Sequence, residues 1–139
     1  MASILKVDEM QGVTSAGDIA VTSEGGSATQ SLQQGLAKAW VNFNGTGTIA
    51  ARDSLNVSGL VDDATSDYTV NLSNAMANSN FAIVDSSCYD SDVGGASATG
   101  VTESLPASTT SYALHSGRST SGSEFDNQYV YGTIFGDLA

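Results

Sequence analysis

From Trp40 to Phe135 the chain alternates apolar and polar residues in short runs, cut by Gly, Asn, Asp or Ser about every ten positions. Period-two alternation sends one set of side chains to each face of a strand. "WVNFN" sets Val41 and Phe43 against Trp40, Asn42 and Asn44, and "GTGT" turns the chain. "IAARDSLNVSGL" reads as one strand with Leu55 and Val57 on one face, and "SDYTVNL" aligns Tyr68, Val70 and Leu72. The acidic "VDDATSD" between them reads as a hairpin tip. "NFAIVDSSCYD" is apolar on both parities, Phe81 and Ile83 against Ala82 and Val84, which predicts burial on both sides. "ATGVTESL", "SYALHSG" and "NQYVYGTIFG" add three strands, the last opposing Tyr129, Tyr131, Thr133 and Phe135 to Val130 and Ile134. Six or seven short strands in about a hundred residues predict an all-β fold, an antiparallel β-sandwich head over residues 37–139.

Composition agrees. Ser, Thr and Gly make up about a third of the chain, a mixture that disfavours long helices and suits strands joined by tight turns. Residues 1–36 read differently, as an arm. Ile4, Leu5 and Val7, then Val13, then Ile19 and Val21 are short apolar groups punctuated by Gly12, Gly17, Gly25 and Gly26. A few isolated strands bury too little to offset chain entropy, so the arm is expected to dock elsewhere. In "SATQSLQQGLAKAW", Leu32, Leu36, Ala39 and Trp40 fall on one face of a short helix, with Ser27 or Thr29 as cap. Gly35 weakens that helix by about 1 kcal/mol relative to Ala. So narrow a stripe suits packing against copies about a shared axis. The expectation is a homotrimer docked through Ile4, Leu5, Val7, Leu32, Leu36 and Trp40, with the Trp40 ring buried where helix meets strand. The polar "NFNGTGT" is expected to form a hydrogen-bonding seam between subunits.

Charge narrows the partners. Fifteen acids against four scattered cations give a net charge of −11, too few cations to neutralise a run of phosphates, so no nucleic-acid partner is expected and adsorption to an anionic membrane is disfavoured. No apolar run reaches the ~20 residues of a membrane span. "MASILKVDEM" lacks the order of a signal peptide, so synthesis in a cytoplasm without that export route is expected. Cys88 is the one cysteine, which precludes an intrachain disulfide and reads as a structural thiol.

Enzyme constellations are missing. His115 is the one histidine, and "GRSTS" lacks the final Gly of a nucleophile elbow. The carboxylate groups Asp62, Asp63 and Asp67, Asp85, Asp90 and Asp92, and Glu124 and Asp126 lie in loops whose spacing sets no carboxyl separation. The expectation is no enzyme and no cofactor. Asp85, Asp90 and Asp92 supply oxygens of the kind Ca²⁺ takes, but the Glu that closes an EF-hand loop is absent and no metal is assigned. One Cys and one His do not make a structural zinc site. For a glycan, the candidates are Tyr89 with Asp90 and Asp92 in one loop and His115 with Arg118 in another.

"KAWVNFNGTGTIAARDSLNVSGLVDDATSDYTVNLSNAM", Lys38 to Met76, is similar to a segment of phage tail fibres and related virion proteins. The resemblance rests on a K-A-W-V-N-F-x-G-T-G-T start, an S-x-N-V-S-like patch and a D-Y-T-V-N-F-like strand. "DNQYVYGTIFGD" resembles that family's closing strand, and "LKVDEMQ" resembles the amino-terminal arms of marine phage structural proteins. Between Tyr89 and Asn127 the resemblance covers nothing. It implies a β-sandwich head that is trimeric, virion-borne and receptor-facing. The expected function is therefore a tail fibre or fibre-like appendage, its arm held by other virion proteins and its head on a host glycan. The alternative is a capsid decoration or cement protein, which the shortness of the arm favours.

Overall fold

At Asn56 the backbone takes a φ of +56°, a left-handed conformation that side chains other than Asn and Gly disfavour. There the segment "IAARDSLNVSGL", read above as one strand, splits in two and changes sheet. In the computed structural model, which describes residues 4–15, 17–88, 101–116 and 124–139 (of 101–103 the backbone only), the chain divides into two compact units, residues 1–36 and 37–139.

In the larger unit the strands are β3 (Ala39–Asn44), β4 (Ala50–Leu55), β5 (Val57–Ala64), β6 (Asp67–Leu72), β7 (Ala82–Cys88), β8 (Val101–Pro106), β9 (Ser111–Ser116) and β10 (Tyr129–Phe135). They form two four-stranded sheets, ordered β4-β3-β10-β7 and β5-β6-β9-β8, and every pairing is antiparallel. The fold is all-β. Burial alternates residue by residue along β3, β6 and β9, as the sequence pattern requires.

Both sheets feed one buried cluster. Val41 and Phe43 of β3 and Val130 and Ile134 of β10 join Tyr68 and Val70 of β6 and Tyr112 and Leu114 of β9, with Met76 and Phe81 completing it. Phe43 meets Tyr68 edge to face, ring centroids 5.1 Å apart. Each fully buried large side chain contributes about 1.5–3 kcal/mol. Gly132 on β10 makes room for Tyr112, because a Cβ there would stand 2.9 Å from the Tyr112 hydroxyl.

Two readings of the larger unit need correction. Ala82 and Val84 of β7 are exposed while Phe81 is buried, so this strand is buried on one side only, at the edge of its sheet. Trp40 lies within β3, on the outer face and half-buried, rather than at a helix–strand junction. In "NFNGTGT" two residues bond to each other within the turn: Thr46 N and Oγ1 donate to Asn44 Oδ1 at 3.3 and 2.9 Å, and Asn44 Nδ2 donates to Thr46 O. Gly47 has positive φ, while Gly45 is needed for close approach, its absent Cβ falling 2.5 Å from the Tyr68 hydroxyl and 2.7 Å from Asn127 O.

In the smaller unit a two-stranded hairpin pairs β1 (Ala20–Thr22) with β2 (Thr29–Ser31) and leads into α1 (Leu32–Gly35). The helix is one turn, not the longer stripe expected from Ser27 to Trp40. Ser31 caps it, not Ser27 or Thr29, its Oγ accepting from Gln34 N at 3.4 Å. Beyond Gly35 the backbone of Leu36 is extended, and Ala39 and Trp40 belong to the ladder with Ile134 and Thr133 of β10. Sheet pairing has overridden a weak helical preference. Ile4, Leu5 and Val7 lie in no strand.

Candidate functional site

The hairpin tip between β5 and β6 is held by its own backbone. Ser66 sits there with φ +71° and is fully buried. Its N–H donates to Asp126 Oδ1 (2.9 Å), its hydroxyl donates to Phe125 O (3.0 Å), and its carbonyl accepts from Ser116 N (2.8 Å). Asp126 Oδ1 and Gly45 O also flank the Tyr68 hydroxyl at 3.0 and 3.1 Å. Burial, then the hydrogen bond and charge of Asp126, push the Tyr68 phenol well above its ordinary value. This network fixes the segment around Phe125 and Asp126 against the ends of β6 and β9.

On the outer face of β6 and β9 it assembles a polar cluster. Asp67 and His115 are register partners, and Asp67 Oδ1 is bonded to His115 Nδ1. Glu124 Oε1 lies 3.9 Å from His115 Nε2, on the other side of the ring. Thr69, next outward on β6, donates through Oγ1 to Asp63 Oδ2 at 2.6 Å. Ala113 sits between Thr69 and Leu105 in the neighbouring register row. Its small side chain leaves a cleft of about 400 Å³ lined by Asp63, Asp67, Leu105, Ala113 and His115, with Tyr68 and Leu114 below.

This surface offers carboxylates, an imidazole and a hydroxyl over an apolar floor, groups that exchange hydrogen bonds with sugar hydroxyls. Nucleophilic catalysis would need a hydroxyl or thiol on the second imidazole nitrogen. The partners of His115 among the described residues are carboxylates on both sides.

Of the glycan candidates, the structure places His115 in this cluster, while Tyr89, Asp90, Asp92 and Arg118 lie outside the described residues. Asp85, the remaining member of the Ca²⁺ group, points inward from β7, and its Oδ2 is buried without a hydrogen-bond partner. The nearby Tyr112 hydroxyl is equally unpartnered, and its phenol is pushed up by burial and then by the Asp85 charge. Among the described residues no group of three or more His, Cys, Asp or Glu side chains is arranged to hold a metal ion.

Of the docking residues, Ile4, Leu5, Val7 and Leu36 are exposed, whereas Leu32 and Trp40 are half-buried. Leu32 and Leu36 share an apolar groove with Met10 and Ile19 in the smaller unit. Sequence reasoning had Asp63, Asp67 and Glu124 as loop carboxylates and missed that Asp67 and Glu124 meet His115 while Asp63 lines the same cleft. The parity of "DYTVNL" and "SYALHS" marks Asp67 and His115 as outward, but the register across 48 residues has no local signal.

No family model, curated protein or solved structure matches the chain.

Proposed function

We propose that this chain is a phage virion structural protein that acts noncovalently, as a homotrimeric tail fibre or fibre-like appendage contacting the host surface. Residues 1–36 dock on other virion proteins, and residues 37–139 form a β-sandwich head. The observation that carries the reading is the state of the arm: none of its described residues is buried, and Ile4 and Leu5 are 78% and 76% exposed. Such a segment gains its burial from other chains. The sandwich is supported by two antiparallel sheets feeding one cluster of buried side chains. Host contact is supported by the cleft beside His115 and Asp67, whose polar groups suit a hydroxyl-rich glycan.

One observation favours the alternative, a capsid decoration protein. Asp67 and His115, and Asp63 and Thr69, already bond to each other, so part of the cleft's polar capacity is used internally. Adsorption competition separates the readings. Purified full-length chain, added to host cells before phage, is expected to lower adsorption, and His115→Ala to abolish that effect. Unchanged adsorption, with particles lacking the chain bursting on mild heating, would instead assign it to decoration.

A further inference from the structure

We infer that copies of this chain meet through the outer face of the sheet β4-β3-β10-β7, packed about a shared axis with Trp40 near the centre of the contact; this rests on the trimeric reading above.

Register places Leu55, Trp40, Thr133 and Val84 side by side in one row across all four strands. Leu55 and Val84, at the two ends, are 48% and 60% exposed, and Tyr131 and Phe135 flank the row on β10. The two central strands of the other sheet are polar on their outward side, with Asp67, Thr69 and Asn71 on β6 and Ser111, Ala113 and His115 on β9, although Val61 and Leu105 are exposed on its edge strands. The difference lies at the centre of each face, where β3 and β10 present Trp40, Tyr131 and Phe135 and β6 and β9 present no Phe, Tyr or Trp side chain.

Charge selects the occupant. Each copy carries −11, so two copies brought together on carboxylate-lined surfaces repel, by about 0.5 kcal/mol per pair at ~8 Å in water and more where solvent is excluded. The Leu55–Val84 row contains no ionisable side chain. Asp53 lies one row away, opposite Asn42, and Arg52 is laid over the Tyr129 ring at 4.3 Å while donating to Gln128 O. A cationic partner would choose the acidic face; a second, equally acidic copy is accommodated on the neutral one. A standard interface takes ~800 Å² from each partner, more than one row of four residues presents, so the contact extends over the flanking Tyr131 and Phe135.

Trp40 is the one tryptophan, so its fluorescence reports on this face alone. The experiment is light scattering with acrylamide quenching of Trp40 on the full chain at micromolar concentration, for wild type, Val84→Glu and Leu55→Glu. The wild type is expected at three times the 14.1 kDa chain mass with Trp40 shielded, its quenching rising as dilution separates the copies. Both variants are expected to keep the wild-type circular dichroism, associate at least tenfold more weakly and expose Trp40. Trimeric variants with unchanged quenching would overturn the face and leave the trimer standing. A single-chain wild type would overturn both, and shielded Trp40 in that species would assign the face to the chain's own arm. Should either variant fail to fold, the wild-type dilution series decides: trimers whose Trp40 is quenched as freely as in separated chains would overturn the face.

Discussion

Asn56 secures the crossing between the sheets in two ways, through its conformation and through its amide. Its φ of +56° lets β4 end and β5 begin with no intervening loop. Its Nδ2 donates to Lys38 O (3.1 Å) and Asn74 O (3.2 Å), and its Oδ1 accepts from Asn74 N (2.7 Å) and Asn74 Nδ2 (3.0 Å). Asn56→Ala loses both and is expected to cost about 2–3 kcal/mol in urea unfolding. Asn56→Gly keeps the conformation and should cost about 1 kcal/mol less. Gly45 makes a different demand. A methyl group there collides with a buried hydroxyl and a backbone carbonyl, so Gly45→Ala is expected to destabilise by about 1–3 kcal/mol. The buried phenols set the alkaline limit. Tyr68 and Tyr112 are pushed above the ordinary value of about 10, so the unfolded chain releases these protons first and binds fewer than the folded chain. Stability is then intact below about pH 10 and falls as pH climbs through the folded values. Urea midpoints between pH 8 and about 11.5 should show that fall, and Tyr112→Phe should flatten it; a pH-independent midpoint would contradict the burial of these hydroxyls.

At the scale of elements, parity was legible and pairing was not. The outward and inward sets of β3, β6, β9 and β10 follow from alternation, because each is covered on one face. The break at Asn56 was hidden, since Leu55 and Val57 keep the same parity across it. Ala82 and Val84 read as buried because exposed apolar residues of an edge strand look like core. The helix failed for a physical reason: Gly35 ends it, and Ala39 and Trp40 gain more from the ladder with β10 than from another helical turn. The cluster at His115 was half legible. Its residues were candidates, but Asp67 and Glu124 reach His115 only through strand register and the network at Ser66. Because Asp67 is half-exposed, the pair is worth little to the fold. His115→Ala should shift the unfolding midpoint by under about 1 kcal/mol while abolishing adsorption competition. A large loss of stability would make His115 a structural residue instead.

At the scale of the whole molecule, the two units have opposite economies. Residues 37–139 bury Phe43, Tyr68, Tyr112, Leu114 and Ile134 in one core, whereas residues 1–36 display Ile4, Leu5, Val13 and Leu36 to solvent. In the proposed trimer the exposed apolar side chains of residues 1–36 gain their burial from other chains. The most direct test is imaging of intact particles at subnanometre resolution. The account predicts threefold density at the tail or a vertex. Density repeated over the capsid lattice would contradict the host-contacting function, and particles carrying none of this chain would contradict the virion assignment itself.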